Sequence, residues 1–459
     1  MLSTVKKTQT LLSPDLLTEN QQAAIDRLYD HDQTMLIAGM GAGKTVISLT
    51  AIAQLIADGV LNRVLVFAPL KVCQEVWRQE AAKWEHTQRV NVERCTGTPA
   101  QRAATVRQVY RQGGIMLLNF ENMAWFFETY KKDHGFDGLL IDELSKLKGG
   151  GKGFKKMRTR LDSFKWVVGM TGTPAAEDFE GLFYQVYAMD KGERFGGRKD
   201  LFMRAYFSPT DYNEYNWELL PDGAERITAK LADLVYTVPD YRHELPELTM
   251  EKLMVTLPPG ALLRYETFEK TQVLKTHMHP DQTADNMAVM SGKLQQLAGG
   301  ALYMEDEFGE RVDTFYSHDT KVTACKALIE GLAGAPVILT YWYKHELERL
   351  EKAFPNAVNL NEPGANDQWN AGKIEILLVQ PLSCSHGLQL QFGGCRLIFF
   401  SPIWSNDIVE QMIARVWRKG QTEPVTVWEI LAADTIDELI VDRVNGKKAF
   451  DKLFHELLG

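Results

Sequence analysis

The sequence predicts an α/β protein: two lobes built on parallel sheets, with a mainly helical insertion between them. Three observations carry that reading. Up to residue 190, short apolar and β-branched runs alternate with helix-length amphipathic stretches, the pattern that places helices on both faces of a parallel sheet. The alternation then stops: aromatic, glycine and charged residues mix, and Leu245-Pro246 and Leu257-Pro258-Pro259-Gly260 punctuate the chain. It resumes at Pro336. The resulting boundaries are 1–190, 191–320 and 321–459, and 459 residues are too many for one ordinary core.

In order, residues 1–30 read as a lead-in and a helix that Thr18 caps, with Ala23, Ala24, Ile25 and Leu28 behind it. The apolar run Thr34 to Ala38 is a strand. Strands follow at Arg63–Ala68, Ile115–Leu118, Leu139–Ile141 and Trp166–Met170, with helices near 71–84, 99–111 and 178–188. Two or three helices are expected between 190 and 320. In the last lobe the strands are Val337–Thr340, Ala357–Leu360, Ile374–Val379, Arg396–Phe400 and Val425–Ile430, with helices at 344–353 and 406–417. A final helix starts at Thr435, where Glu438 three residues on completes a capping box.

Composition narrows the function. Hydrophobic residues make up 45% and charged residues 24%, which is globular rather than disordered. No apolar run reaches membrane-spanning length. Met1 to Thr10 carries Lys6 and Lys7 with no apolar core behind them, so no secretory leader is expected. The five cysteines have no C-x-x-C spacing, which argues against zinc and disulfides and fits a reducing cytoplasm. A net charge of −9 gives no overall attraction to nucleic acid, so any such site must be a local basic surface.

Chemistry concentrates in a few stretches. Gly39-Met40-Gly41-Ala42-Gly43-Lys44-Thr45 lies between a strand and an apolar-periodic helix, the context of a phosphate-binding loop. Gly39, Gly41 and Gly43 let backbone N–H groups turn toward an anion, and the helix N-terminus adds positive charge. Lys44 is placed for the β- and γ-phosphates and Thr45 for Mg²⁺. Ala38 stands at the pattern's first glycine position, a small departure. Leu139-Leu140-Ile141 ends in Asp142-Glu143: one carboxylate to hold Mg²⁺, one to orient and deprotonate the attacking water. Thr171-Gly172-Thr173-Pro174 reads by itself as a turn. Arg415 and Arg418, three apart, share a helix face suited to stabilising charge on a γ-phosphate.

Together these motifs resemble the superfamily-two helicases, and within them the Swi/Snf-like ATPases. Gln21, in the stretch Leu17 to Asp26, is similar to the family's adenine-reading glutamine, although Thr18 and Gln21 also spell a capping box. Val64 to Leu70, running through Lys71 to Trp77 and Trp84, resembles the first DNA-contact motif. Asp142-Glu143 resembles the acidic motif and Thr171-Gly172-Thr173-Pro174 the coupling motif. Gly387-Leu388-Gln389-Leu390-Gln391 resembles the family's Gly-Leu-Asn-Leu motif, and Gln411 to Gln421 its Q-x-x-x-R-x-x-R-x-G-Q segment. Leu144-Ser145 replaces the usual Ala-His, Ala414 and Trp417 the usual Gly and His, and Gln389 the usual Asn. The compact form looks most like phage-borne members.

The resemblance implies two RecA-like lobes, ATP and Mg²⁺ as cofactors, Lys44, Glu143, Arg415 and Arg418 as catalytic groups, and a cytoplasmic monomer moving on DNA, duplex favoured. Eight basic residues between Lys146 and Lys165, opposed by Asp162 alone and interspersed with glycines, form a flexible loop able to follow a phosphate backbone, Lys152, Lys155 and Lys156 foremost. Lys71, Thr171 and Gly387 are further candidates for nucleic-acid contact. Trp125, Phe126, Phe127, Trp342 and Trp404 could stack on bases, but most of them are expected in the core. Three alternatives remain open: a strand-separating helicase or the motor of a restriction system, an RNA-acting enzyme, and an ATP-gated adaptor that grips DNA or a protein.

Overall fold

Apolar residues on both faces of the central strands force the sheets into the interior. In the computed structural model, which describes residues 11–446 except 132–133, 173, 175–178, 215, 241, 272, 275–281, 284–286, 307–309 and 385–387, two such sheets form. The chain separates into two compact units, one of residues up to 240 and one spanning Arg242–Gly446.

The large sheet of the first unit has seven strands among the described residues, including β1 (Gln33–Ile37), β2 (Arg63–Ala68), β3 (Val92–Arg94), β4 (Gly114–Asn119), β5 (Gly138–Asp142) and β6 (Trp166–Thr171). Their order is β3-β4-β2-β5-β6-β1, followed by the strand Val235–Thr237, and every pairing is parallel. Side chains alternate between the two faces: Leu65, Phe67, Leu139 and Ile141 join one apolar cluster, and Val64, Val66, Leu140 and Val168 the other. Every residue of β4, β5 and β6 is buried, so replacing one large side chain here by alanine costs about 2–5 kcal/mol. Helix α1 (Glu19–Asp30) starts at a complete capping box on Thr18, and α2 (Lys44–Ala57) follows the glycine loop.

The second unit carries a six-stranded parallel sheet in the order 248–255, 425–432, 396–399, 337–340, 376–379, 358–359. Val337 and Leu339 face one cluster, Ile338 and Leu377 the other. The expected parallel α/β lobes are therefore present. The stretch 191–320 is shared between the units: Val235–Thr237 closes the first sheet and Leu248–Val255 opens the second. Among the described residues four α-helices lie within it, Lys199–Tyr206, Gly223–Leu231, Pro259–Thr271 and Met287–Gly299, rather than two or three. The two sheet strands escape a periodicity reading because one has three residues and the other, an edge strand, is largely exposed. The segment 71–84 is also less regular than expected: a π-turn over Val72–Val76 leads into a short α-helix, Trp77–Ala81. At the last helix the box differs from expectation: Glu438 accepts from the Asp434 N–H at 2.7 Å, and Thr435 Oγ1 from that of Asp437 at 3.3 Å.

Candidate functional site

The order β5-β6-β1 brings three carboxyl ends side by side, the edge where open α/β sheets place their ligands. From β1 the chain enters the glycine loop. Gly41 and Gly43 take φ of 84° and 88°, left-handed values that disfavour other residues. Gly43 is also the N-cap of α2 and, having no side chain, offers no side-chain cap, so the helix start with its partial positive charge faces the loop. Lys44 Nζ donates to Ala38 O at 2.8 Å, folding over the loop it would serve. Gln21 plays two parts. It completes the Thr18 capping box and donates from Nε2 to Ala42 O at 3.1 Å. A Cβ on Gly43 would lie 2.4 Å from that amide nitrogen and displace the glutamine's tip, while the φ of 88° is what favours glycine there.

β5 delivers the acids. Asp142 is only 8% exposed, and the indole Nε1 of fully buried Trp77 donates to its Oδ2 at 2.8 Å. Burial pushes the Asp142 carboxyl up to about 6; Glu143 adds to the rise, while Trp77 and Lys44 oppose it. Glu143 has left its strand: φ 89° and ψ 70° put a non-glycine residue in the left-handed region. Its Oε1 accepts from Ser145 Oγ at 2.8 Å and from Thr171 Oγ1, at the end of β6, at 3.3 Å. Leu144 is buried against β6, where a Cβ on Gly169 would come within 2.7 Å of it. The Leu144-Ser145 departure is thus accommodated: the leucine fills the space Gly169 leaves, and the serine reaches Glu143.

A Mg²⁺ fits this donor set. One carboxylate and the Thr45 hydroxyl suit an ion that takes few protein ligands and completes its shell with phosphate oxygens and water. Among the described residues no group of three or more His, Cys, Asp or Glu forms a cage for another metal.

In the second unit, helix Asn406–Val416 presents Arg415 but ends before Arg418. The two arginines therefore do not share a helix face as their spacing predicts. They converge nonetheless, each donating from Nη1 to Leu388 O at 3.4 Å. Gln421 Nε2 locks the turn by donating to Gln391 O at 3.1 Å and Gly394 O at 3.2 Å, and Gly420 takes φ 98°. Trp417 donates to Pro246 O at 2.7 Å, anchoring the segment beside the first strand of this sheet. Gly387 and Thr173 lie outside the described residues.

The basic stretch differs most from expectation. Lys152 and Lys156 lie 3.8 and 3.2 Å from Glu128, an acid outside the run, while the run's own acid, Asp162, pairs with Lys191 at 3.0 Å. Two of the run's four glycines, Gly150 and Gly153, serve packing, while Gly149 and Gly151 border open space. Lys152–Met157 is helical, a Cβ on Gly150 would lie 2.4 Å from the Tyr184 ring, and one on Gly153 would lie 3.1 Å from Met123. Lys71, at the start of the π-turn, and Lys155 are both exposed. Phe126 and Phe127 are core, as expected, and Trp125 packs against that core under the Arg102 guanidinium, 4.3 Å from its ring.

Sequence reasoning gave Trp77 no part in the acid site and gave Ser145 no role. The tryptophan's partner lies 65 positions away, and only the pairing of the strands reveals it.

The sequence profile of the SNF2-related domain matches residues 19–296, more than half of the chain. Protein p41 of Acyrthosiphon pisum secondary endosymbiont phage 1 is 32% identical over 457 residues, covering 95% of this chain and 97% of that protein. The DNA repair and recombination protein RDH54 of Saccharomyces cerevisiae is 21% identical over 505 residues, covering 97% of this chain. This chain spans about half of RDH54, 52% of its length. Among solved structures, the Sulfolobus solfataricus SWI2/SNF2 ATPase core in complex with dsDNA aligns over 95% of this chain and 92% of its own, at 17% identity and a TM-score of 0.45.

Proposed function

The chain belongs to the SNF2-related family, and from that premise we propose that it is an ATP-driven motor that moves on DNA, duplex favoured, without reading sequence. The observation that carries the reading is the edge formed by β5, β6 and β1: an uncapped helix start behind left-handed glycines, with Asp142 and Glu143 two strands away. The loop N–H groups and Lys44 bind the phosphates of ATP, and Gln21 contacts the adenine. Asp142 and Thr45 hold Mg²⁺, which when bound neutralises phosphate charge. Glu143 orients the attacking water and accepts its proton. Arg415 and Arg418, from the second RecA-like lobe, stabilise charge on the departing phosphoryl group.

DNA is the track favoured by the family, with Lys71, Lys152, Lys155, Lys156 and Gly387 as the proposed contacts; Thr171, expected from the sequence as a further contact, is fully buried and donates to Glu143, so it is not among them. Such contacts go to phosphates, so binding is steeply salt-dependent. Among the described residues no helix is long and apolar enough to cross a membrane. A cytoplasmic setting suits the motor reading, that of the bacterial host if the protein, like its relative p41, is carried by a phage. The test pairs two variants. Lys44→Ala abolishes ATP binding; Glu143→Gln binds ATP but does not turn it over. A Glu143→Gln protein hydrolysing at the parent rate would refute the assignment.

A further inference from the structure

We infer that Ser145 is a positioning residue for hydrolysis: together with Thr171 it clamps one oxygen of the Glu143 carboxylate, leaving the other to take the proton of the attacking water. The inference rests on the ATPase reading and adds a residue to it.

Three observations carry it. First, the two hydroxyls arrive from different elements, the turn after β5 and the end of β6, yet both donate to Oε1, at 2.8 and 3.3 Å. Two donors on one oxygen fix the carboxylate's rotation about its terminal torsion, which is otherwise broad. Secondly, Glu143 sits at φ 89°, a conformation that a non-glycine residue keeps only when its surroundings over-determine it. The surroundings do so here. Its N–H donates to Met170 O at 3.1 Å, and its carbonyl accepts from Lys146 N at 3.1 Å. Thirdly, Ser145 is itself buried, and its place in the turn is set by Leu144, which fills the space that Gly169 leaves on β6. Leu144, Ser145 and Gly169 form one matched set, so the serine is seated by packing before it meets the carboxylate.

A serine that only satisfied its own hydroxyl would not change chemistry when removed. A positioning serine has a specific signature: turnover falls while nucleotide affinity holds, because the loop and Lys44 bind the phosphates without it. The experiment measures kcat and KM for ATP, nucleotide affinity and Tm for Ser145→Ala, Ser145→Thr and Thr171→Val, and for the Ser145→Ala/Thr171→Val pair. Glu143→Gln is run in parallel.

Ser145→Ala is expected to lower kcat about ten-fold or more, the loss of one hydrogen bond to a charged group, with KM and affinity unchanged. Ser145→Thr, which keeps the hydroxyl, restores most of the rate. The double variant loses less than the product of the single losses, because both donors act through one oxygen. An unchanged kcat in Ser145→Ala overturns the inference. So does an equal fall in Ser145→Ala and Ser145→Thr accompanied by a lower Tm, which marks a packing role. If Glu143→Gln turns ATP over normally, the ATPase reading itself fails; if it is inactive while Ser145→Ala is fully active, only the clamp fails.

Discussion

Replacing Asp142 by asparagine should make the nucleotide-free protein more stable while abolishing its Mg²⁺-dependent chemistry. Asp142 is 8% exposed, and burial lifts its carboxyl from 3.8 to about 6. Its folded-state value thus lies above its unfolded one. Below pH 3.8 the group is protonated in both states and contributes nothing. Between 3.8 and 6 the unfolded chain releases its proton while the folded one keeps it, so stability falls as pH rises. Above 6 the full cost of burying the charge is present, about 3 kcal/mol for a shift of this size. Asparagine keeps the shape and an oxygen to accept the Trp77 indole, but never ionises. For a unit of this size the gain amounts to about 6–12 °C in the first unit's transition at pH 8, shrinking toward nothing near pH 4. Calorimetry of parent and variant across pH 4–8 reads it directly. With ATP present, adding Mg²⁺ should raise the parent's transition further and leave the variant's unmoved. A variant no more stable than the parent at pH 8, or a gain equal at pH 5 and 8, refutes the reasoning.

Two further outcomes follow from the same geometry. Arg418→Ala should slow ATP hydrolysis by about 10³-fold or more while leaving nucleotide affinity much less affected, measured by single-turnover hydrolysis and equilibrium binding; an unchanged rate removes Arg418 from the chemistry. Neutralising Lys152, Lys155 and Lys156 together should weaken duplex binding and lower the slope of log affinity against log salt by up to three phosphate contacts' worth, about 0.9 each. Two of the three face Glu128, so Glu128→Gln should strengthen binding where the triple variant weakens it; salt titrations indifferent to both changes return the helix to a structural role.

What the sequence revealed followed from local pattern. β2 and the strand Val337–Thr340 fall where periodicity puts them, and β5 and β6 within a residue of it, because parallel strands buried on both faces are continuous apolar runs. The glycine loop was legible because its spacing is a local backbone requirement. What stayed hidden depends on contacts between distant segments. Trp77 meets Asp142 only because the chain after β2 packs over the end of its neighbour β5. Glycines 150 and 153 looked like slack, yet the rings and sulfur they pack against come from residues 184 and 123. Arg415 and Arg418 do not share the helix face that their spacing suggests; a carbonyl at Leu388 gathers them after the helix has ended. The three-residue strand Val235–Thr237 has too few positions to show a period, and only its pairing with β1 reveals it.

The central claim is that ATP turnover at the β5-β6-β1 edge is harnessed to DNA. Its most direct test is steady-state ATP hydrolysis with no nucleic acid, then with duplex DNA, single-stranded DNA and RNA, each at low and moderate salt. The account predicts strong stimulation by duplex DNA, eroded by salt and absent in Glu143→Gln. Turnover that ignores every nucleic acid would contradict it.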